Sequence, residues 1–215
     1  MTAKTALVVV AHHRADSLTV RIGDVAAARL KEAGYAIDLL NLQAEGFDPR
    51  MTVADQPDWD DRDKAYSPEA QSHMERILAA DLIVPVFPVY WNAPPALLKG
   101  WIDRVWNYGF SYGRSKPRLA GKQMLWIGTA GAAEGDDYWA SLQNILDLTL
   151  RDGVSYYNGI TEAAVEILPD AEGEPQIVDA AGNFTKGEAL TGEQRTAHYE
   201  ALERRAVERV EKFLG

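Results

Sequence analysis

The sequence predicts an α/β domain built as a doubly wound, five-stranded parallel sheet between two helix layers, three layers in all. Three observations carry that expectation. Short β-branched runs alternate with segments of helical period along the whole chain. The strand-like runs are continuously apolar, as expected of parallel strands buried on both faces. The length of 215 residues, with 47% hydrophobic and 25% charged residues, suits one large α/β domain over residues 1–215 better than two small ones.

Taken in order, Ala6 to Ala11 (ALVVVA) is the first strand. Ser17 to Ala33 follows as a helix with Leu18, Ile22, Val25, Ala26 and Leu30 on one stripe and Gly34 as its stop. Tyr35 to Leu42 is the second strand. Residues 44 to 66 form a polar, Asp-rich connection without a period, and a connection of that length is usually functional or wrapped on the surface. Ser67-Pro68-Glu69 starts a helix that runs to about Ala80. Asp81 to Phe87 (DLIVPVF) reads as a buried strand, although Pro85 lacks a ladder donor. A helix over Pro94 to Tyr108, a strand over Lys122 to Thr129 and a helix over Tyr138 to Leu150 follow. Val154 to Leu168 holds a fifth strand, and the Gly/Asp/Glu-rich residues 170 to 190 read as a surface loop or hairpin. Gly192 to Leu214 closes the chain as an amphipathic helix with Tyr199, Leu202, Ala206, Val207, Val210 and Leu214 inward. Periodicity alone fits both common strand orders of such sheets.

Composition excludes several classes of function. A chain without cysteine has no disulfide framework, no thiolate nucleophile and no Cys-ligated metal. No metal site is expected. The net charge of −10 argues against nucleic acid, whose phosphate backbone wants a basic face. The N-terminal apolar run is too short for a signal peptide, and no stretch has the length of a membrane span. The expected location is the cytoplasm.

In open α/β sheets ligands bind beyond the carboxyl ends of the strands, so three loops matter most. The first is AHHRADSLT, residues 11 to 19. It contains neither GxGxxG nor GxxxxGK[ST], which argues against an ordinary dinucleotide fold and against a nucleoside triphosphate. It does offer a helix N-terminus flanked by His12, Ser17 and Thr19, donors suited to a phosphate. Asp16 or Ser17 could equally be a plain helix cap, and the histidines could simply be solvated. The second loop, residues 88 to 101, sets Tyr90-Trp91 beside Pro88 and before a Pro-Pro turn. Large aromatics there provide a flat wall for a conjugated ring, with core packing of Trp91 as the competing reading. The third loop, TAGAAEG (129 to 135), is small enough for a ring to approach the backbone.

Together these loops resemble the NAD(P)H:quinone oxidoreductase family, which includes the DT-diaphorases and the ancillary subunits of glutathione-gated potassium efflux systems. The match runs in order through roughly residues 5 to 155 and is most specific from Ala80 to Val105 (ADLIVPVFPVYWNAPPALLKGWIDRV). The resemblance implies a flavodoxin-like fold with strand order 2-1-3-4-5 and a homodimer whose active site lies at the subunit interface. It implies that His12, Ser17, Leu18 and Thr19 bind the flavin phosphate region. It places Pro88, Val89, Tyr90, Trp91 and Asn92 along the isoalloxazine and Thr129, Ala130, Gly131 and Ala132 at the ring's polar edge. Tyr112, in GFSYG, matches a tyrosine that covers the acceptor pocket from the neighbouring subunit, and Tyr138, after a one-residue shift, matches a tyrosine near the flavin's N1/O2 edge with a catalytic role. Six residues beyond Tyr138 the animal enzymes carry a His, where this chain has Asn144, so a His-assisted charge relay does not carry over.

The implied activity is a two-electron ping-pong transfer of hydride from NADPH or NADH, through the flavin, to a quinone-type acceptor. FAD is favoured over FMN, on the H-x4-S spacing and the long 44–66 connection. Two other classes compete: a regulatory flavoprotein subunit of a potassium efflux system, and a flavodoxin-like electron carrier.

Overall fold

The computed structural model describes residues 3–134, 137–174, 176–178 and 184–215. Five parallel strands, β1 (Thr5–Val10), β2 (Ala36–Asn41), β3 (Leu82–Pro88), β4 (Gln123–Thr129) and β5 (Glu162–Leu168), form a sheet of order β2-β1-β3-β4-β5. The helices are α1 (Leu18–Glu32), α2 (Pro68–Ala79), α3 (Ala96–Val105), α4 (Asp137–Leu146) and α5 (Gly192–Leu214). This is the flavodoxin-like arrangement expected.

The continuous apolar runs work because a strand sends successive side chains to opposite faces. In β1, Leu7 and Val9 join the core beneath α2, α3 and α4, while Ala6, Val8 and Val10 join the core beneath α1 and α5. In β4, Met124 and Trp126 face the first core, Leu125 and Ile127 the second. Each fully buried Val, Leu, Ile or Phe stabilises the fold by about 1.5–3 kcal/mol relative to exposure. A polar residue at any of these positions therefore breaks one layer or the other.

Pro85 is tolerated inside a strand flanked on both sides. It pairs with Val9 of β1. Toward β4 the register passes from Ile83↔Met124 to Val86↔Ile127, leaving a gap in the ladder where the missing N–H falls.

Three differences from the sequence reading have local causes. The third helix ends at Val105 rather than at Tyr108, because Trp106 and Asn107 turn into the core and the Asn107 side chain donates to the Asp55 carbonyl at 2.6 Å. The fourth helix ends at Leu146 and the chain continues as a π-helix over Asp147–Ser155 and a 3₁₀ turn over Tyr156–Asn158. Part of residues 170–190 is a hairpin, with Gln176–Val178 antiparallel to Phe184–Lys186.

The 44–66 connection is irregular but pinned. Gly100 of α3 is needed because a Cβ there would run into the backbone of Pro49, and Gly109 because a Cβ would run into the Arg62 carbonyl. Asp55, with no exposed surface, accepts from Arg104 at 2.9 and 2.7 Å and from the Ser67 N–H at 2.9 Å. Arg104 also reaches Glu69 at 2.8 Å and lies 4.9 Å from the Phe47 ring centroid.

Candidate functional site

Parallel strands deliver all their exits to one edge, and here the exits of β1, β3 and β4 enclose a cleft of about 520 Å³. His12, Ser17, Leu18 and Thr19 line it from the first loop, Pro88, Val89 and Tyr90 from the second, Thr129 and Gly131 from the third. Trp91, Asn92, Ala130 and Ala132 do not line it.

The first loop is a cradle of donors. Ser17 is the N-cap of α1, its Oγ accepting the Val20 N–H at 3.2 Å. The capping reading is therefore correct for Ser17, while Asp16 instead pairs with Arg14 at 2.7 Å on the surface. The first turn of α1 carries no acidic side chain, so the partial positive charge of the helix end is left for the cleft. His12 Nδ1 lies 3.0 Å from the Arg14 N and 3.3 Å from the Arg14 carbonyl oxygen, so the backbone of Arg14 holds the ring in place at the cleft. Burial, and then the neighbouring His13 ring stacked at 4.5 Å, hold the His12 imidazole below its ordinary range. Thr19 Oγ1 lies 3.1 Å from Thr129 Oγ1, tying the first loop to the third.

The second loop closes in a two-residue turn. Tyr90 and Ala93 exchange backbone bonds of 2.9 and 3.1 Å, and Trp91 and Asn92 sit at φ 51° and 60°. Left-handed backbone suits Asn but costs a Trp roughly 1–2 kcal/mol. Trp91 is 99% exposed, which rules out core packing and sends its ring to solvent beside the cleft. Asn92 Oδ1 accepts the Tyr138 hydroxyl at 2.6 Å, so the start of α4 is hung on this turn.

In the third loop the Ala130 and Ala132 side chains are buried, because the backbone is laced to the chain leaving β5. The Ala130 N–H donates to the Leu168 carbonyl at 2.9 Å, and the Ala132 carbonyl accepts the Asp170 N–H at 3.0 Å. Gly131 stays at the cleft wall, where a Cβ would strike the Glu172 side chain. Among the described residues its N–H and that of Ala132 have no partner.

Tyr112 lies away from this cleft. Its ring is 5.8 Å from Tyr108, 5.9 Å from Tyr157 and 6.3 Å from Trp59, and burial raises its phenol above the ordinary range.

Sequence reasoning missed the wall that α5 supplies. Arg195 and Tyr199 line the cleft from its first turns, with Ala171 and Glu172 beside them. Among the described residues the Arg195 guanidinium has no carboxylate partner. The signal that could have found it is topological: α5 starts after the β5 exit, on the same edge of the sheet as the other loops.

A family model described as flavodoxin-like fold matches residues 4–184. The chain belongs to the flavodoxin-like fold family. Within it, the chain is 37% identical over 158 residues to an uncharacterized NAD(P)H oxidoreductase, YcaK, of Escherichia coli K12, covering 74% of this chain and 80% of that protein. It is 28% identical to the NAD(P)H dehydrogenase [quinone] 1 of Rattus norvegicus, over 85% of this chain and 71% of the rat protein. In structure this flavodoxin-like chain is similar to the NAD(P)H:quinone oxidoreductase from Methanothermobacter marburgensis, with a TM-score of 0.76, 20% identity and 96% of each chain covered. The resemblance drawn from the three loops is borne out. Among the described residues no helix is long and apolar enough to cross a membrane, and no group of His, Asp or Glu could hold a metal ion.

Proposed function

We infer that the chain is a flavin-dependent NAD(P)H:quinone oxidoreductase, carried by one flavodoxin-like domain and working in the cytoplasm. The observation that carries this reading is the polar set that lines the cleft: a helix N-terminus, the His12 imidazole and the Arg195 guanidinium, which has no carboxylate partner among the described residues. Such a set fits a phosphate-bearing cofactor. His12, Ser17, Leu18 and Thr19 hold the phosphate end; Pro88, Val89 and Tyr90 flank the ring, with Trp91 and Asn92 in the turn just outside the cleft; Thr129 and Gly131 meet its polar edge, with Ala130 and Ala132 buried behind them. The unpartnered N–H groups of Gly131 and Ala132 support that last assignment, since they are free to stabilise negative charge. Tyr138, which donates to Asn92 outside the cleft lining, stands as the candidate protic side chain on the ring's side of that turn. FAD is favoured over FMN because the cleft continues past the first loop to Arg195 and Tyr199, giving room and a second cation beyond the first phosphate. When bound, the flavin supplies the two-electron chemistry between NADH or NADPH and a quinone-type acceptor.

The working form is proposed to be a homodimer in which Tyr112 covers the acceptor pocket of the neighbouring subunit. The support is its place in an exposed aromatic group away from its own cleft, with Trp59 64% and Tyr157 69% exposed. Reconstitution with FAD and with FMN, followed by mass identification of the released flavin, tests the cofactor. Flavin at 100 times its dissociation constant should add about 2.7 kcal/mol of stability. Absence of both flavin absorbance and any thermal shift would overturn the reading.

A further inference from the structure

A second cleft, of about 300 Å³, lies between the end of the 44–66 connection, α2 and the 108–118 segment, and shares no lining residue with the flavin cleft. Its floor is apolar: Tyr66, Met74 and Phe110 are each at most 7% exposed. Its rim carries four cations, Arg62, Lys64, Arg114 and Arg118, against two carboxylates, Asp63 and Glu75. Arg114 is already committed to Asp63 and to the Gly109 carbonyl. Lys64 is held by the Gln56 carbonyl at 2.7 Å. Among the described residues neither Arg62 nor Arg118 makes an ion-pair contact, although both feel the charge of Asp63, which Arg114 already holds, and Arg118 stands 5.6 Å from the Phe110 ring centroid.

In a chain of net charge −10, where most arginines are ion-paired with acids, two guanidiniums without an ion-pair contact among the described residues put positive charge at the rim of one apolar floor. The floor carries no charge of its own. The Tyr66 hydroxyl donates to the Tyr108 carbonyl at 2.7 Å, and burial pushes its phenol up to about 12. We propose that this cleft binds a small aromatic anion (a carboxylate, sulfonate or phosphate on a flat apolar body), with the anion on Arg62 and Arg118 and the body on Phe110 and Met74. The site is independent of the flavin reading.

The test uses flavin-loaded protein and a matched pair of fluorescent probes. The anionic probe is 8-anilinonaphthalene-1-sulfonate; N-phenyl-1-naphthylamine has the same rings without the sulfonate. The sulfonate is expected to bind saturably, more tightly than the neutral probe, and to weaken as salt is raised. Arg62→Ala with Arg118→Ala should weaken the sulfonate about tenfold or more, leaving the neutral probe and the flavin content unchanged. Arg118→Gln alone, a milder change at an exposed position, should give part of that loss. Absence of saturable sulfonate binding, or equal affinity for the two probes, would overturn the proposal. So would a loss that follows Arg195→Ala instead, since the probe would then be sitting in the flavin cleft. Flavin content, read separately by absorbance, keeps failure of this site distinct from failure of the oxidoreductase reading.

Discussion

Asp55 and Arg104 sit beneath α2 and α3 with 0% and 3% exposure of their side chains, and each is surrounded by partners. Ser67, Thr52, Asn107, Glu69 and the Asp48 carbonyl complete the group. The first loop and α5 hold a comparable set of residues, His12, Ser17, Thr19 and Arg195, but there they line an open cleft, and among the described residues the Arg195 guanidinium has no carboxylate partner. Both regions are polar clusters made from loops and helix ends. One is closed and serves the fold; the other is open and is the proposed ligand site. The distinction lies in satisfaction, because a buried polar group must find its partner within the protein unless a ligand supplies it.

The largest expected effect breaks the closed cluster. Asp55→Asn leaves Arg104 buried with only the peripheral Glu69 as counter-charge, and should cost about 3–5 kcal/mol in denaturant unfolding. The same carboxylate sets an acid limit. Burial pushes Asp55 up, but the Ser67 N–H and Arg104 outweigh it and leave its pKa below the ordinary value. Its stabilisation is therefore present above the unfolded-state pKa and is lost as the pH falls through the depressed folded value. The wild-type protein should show that acid loss in unfolding titrations, and the Asn variant should show less of it.

The middle effect opens the comparison from the other side. His12→Ala and Arg195→Ala should each weaken flavin binding by about 10- to 150-fold, the equivalent of roughly 1.5–3 kcal/mol for a charge-assisted hydrogen bond. Apoprotein stability should change by no more than about 0.5 kcal/mol. Fluorescence quenching and thermal unfolding of the same samples check both halves. Equal dissociation constants for all three proteins would move the phosphate out of the first loop.

The smallest effect falls on Ser17, which belongs to both categories. Its Oγ caps α1, so Ser17→Ala should cost about 1 kcal/mol of stability. The loss in flavin affinity should be smaller than for His12→Ala, because its backbone stays in place. A Ser17→Ala variant with wild-type stability but a His12-sized loss of affinity would show the hydroxyl to be a ligand rather than a cap.

The difference between the clusters also explains what could be read without coordinates. The three inner strands β1, β3 and β4 were legible because burial on both faces demands unbroken apolar runs, and α5 matches its expected span because Thr191 and Gln194 write a capping box into the sequence. The first loop was legible because a helix end needs only local residues. Asp55 was not, since in a run that also holds Asp58, Asp60, Asp61 and Asp63 nothing local singles out the one that meets Arg104. Arg195 was hidden for the same reason: its role depends on the sheet bringing α5 back to the β1 exit. The same holds for Trp91, whose exposure is decided by a left-handed turn that residue type does not announce.

The proposed oxidoreductase needs a flavin in the open cleft, placed for two-electron exchange with NAD(P)H and a quinone. An anaerobic titration of the flavin-loaded protein tests it most directly. A stoichiometric amount of NADPH or NADH should bleach the visible flavin absorbance fully, and a stoichiometric amount of quinone should restore it. Flavin that stays oxidised with both nicotinamides, yet is reduced by a one-electron donor, would contradict the account and make the protein an electron carrier.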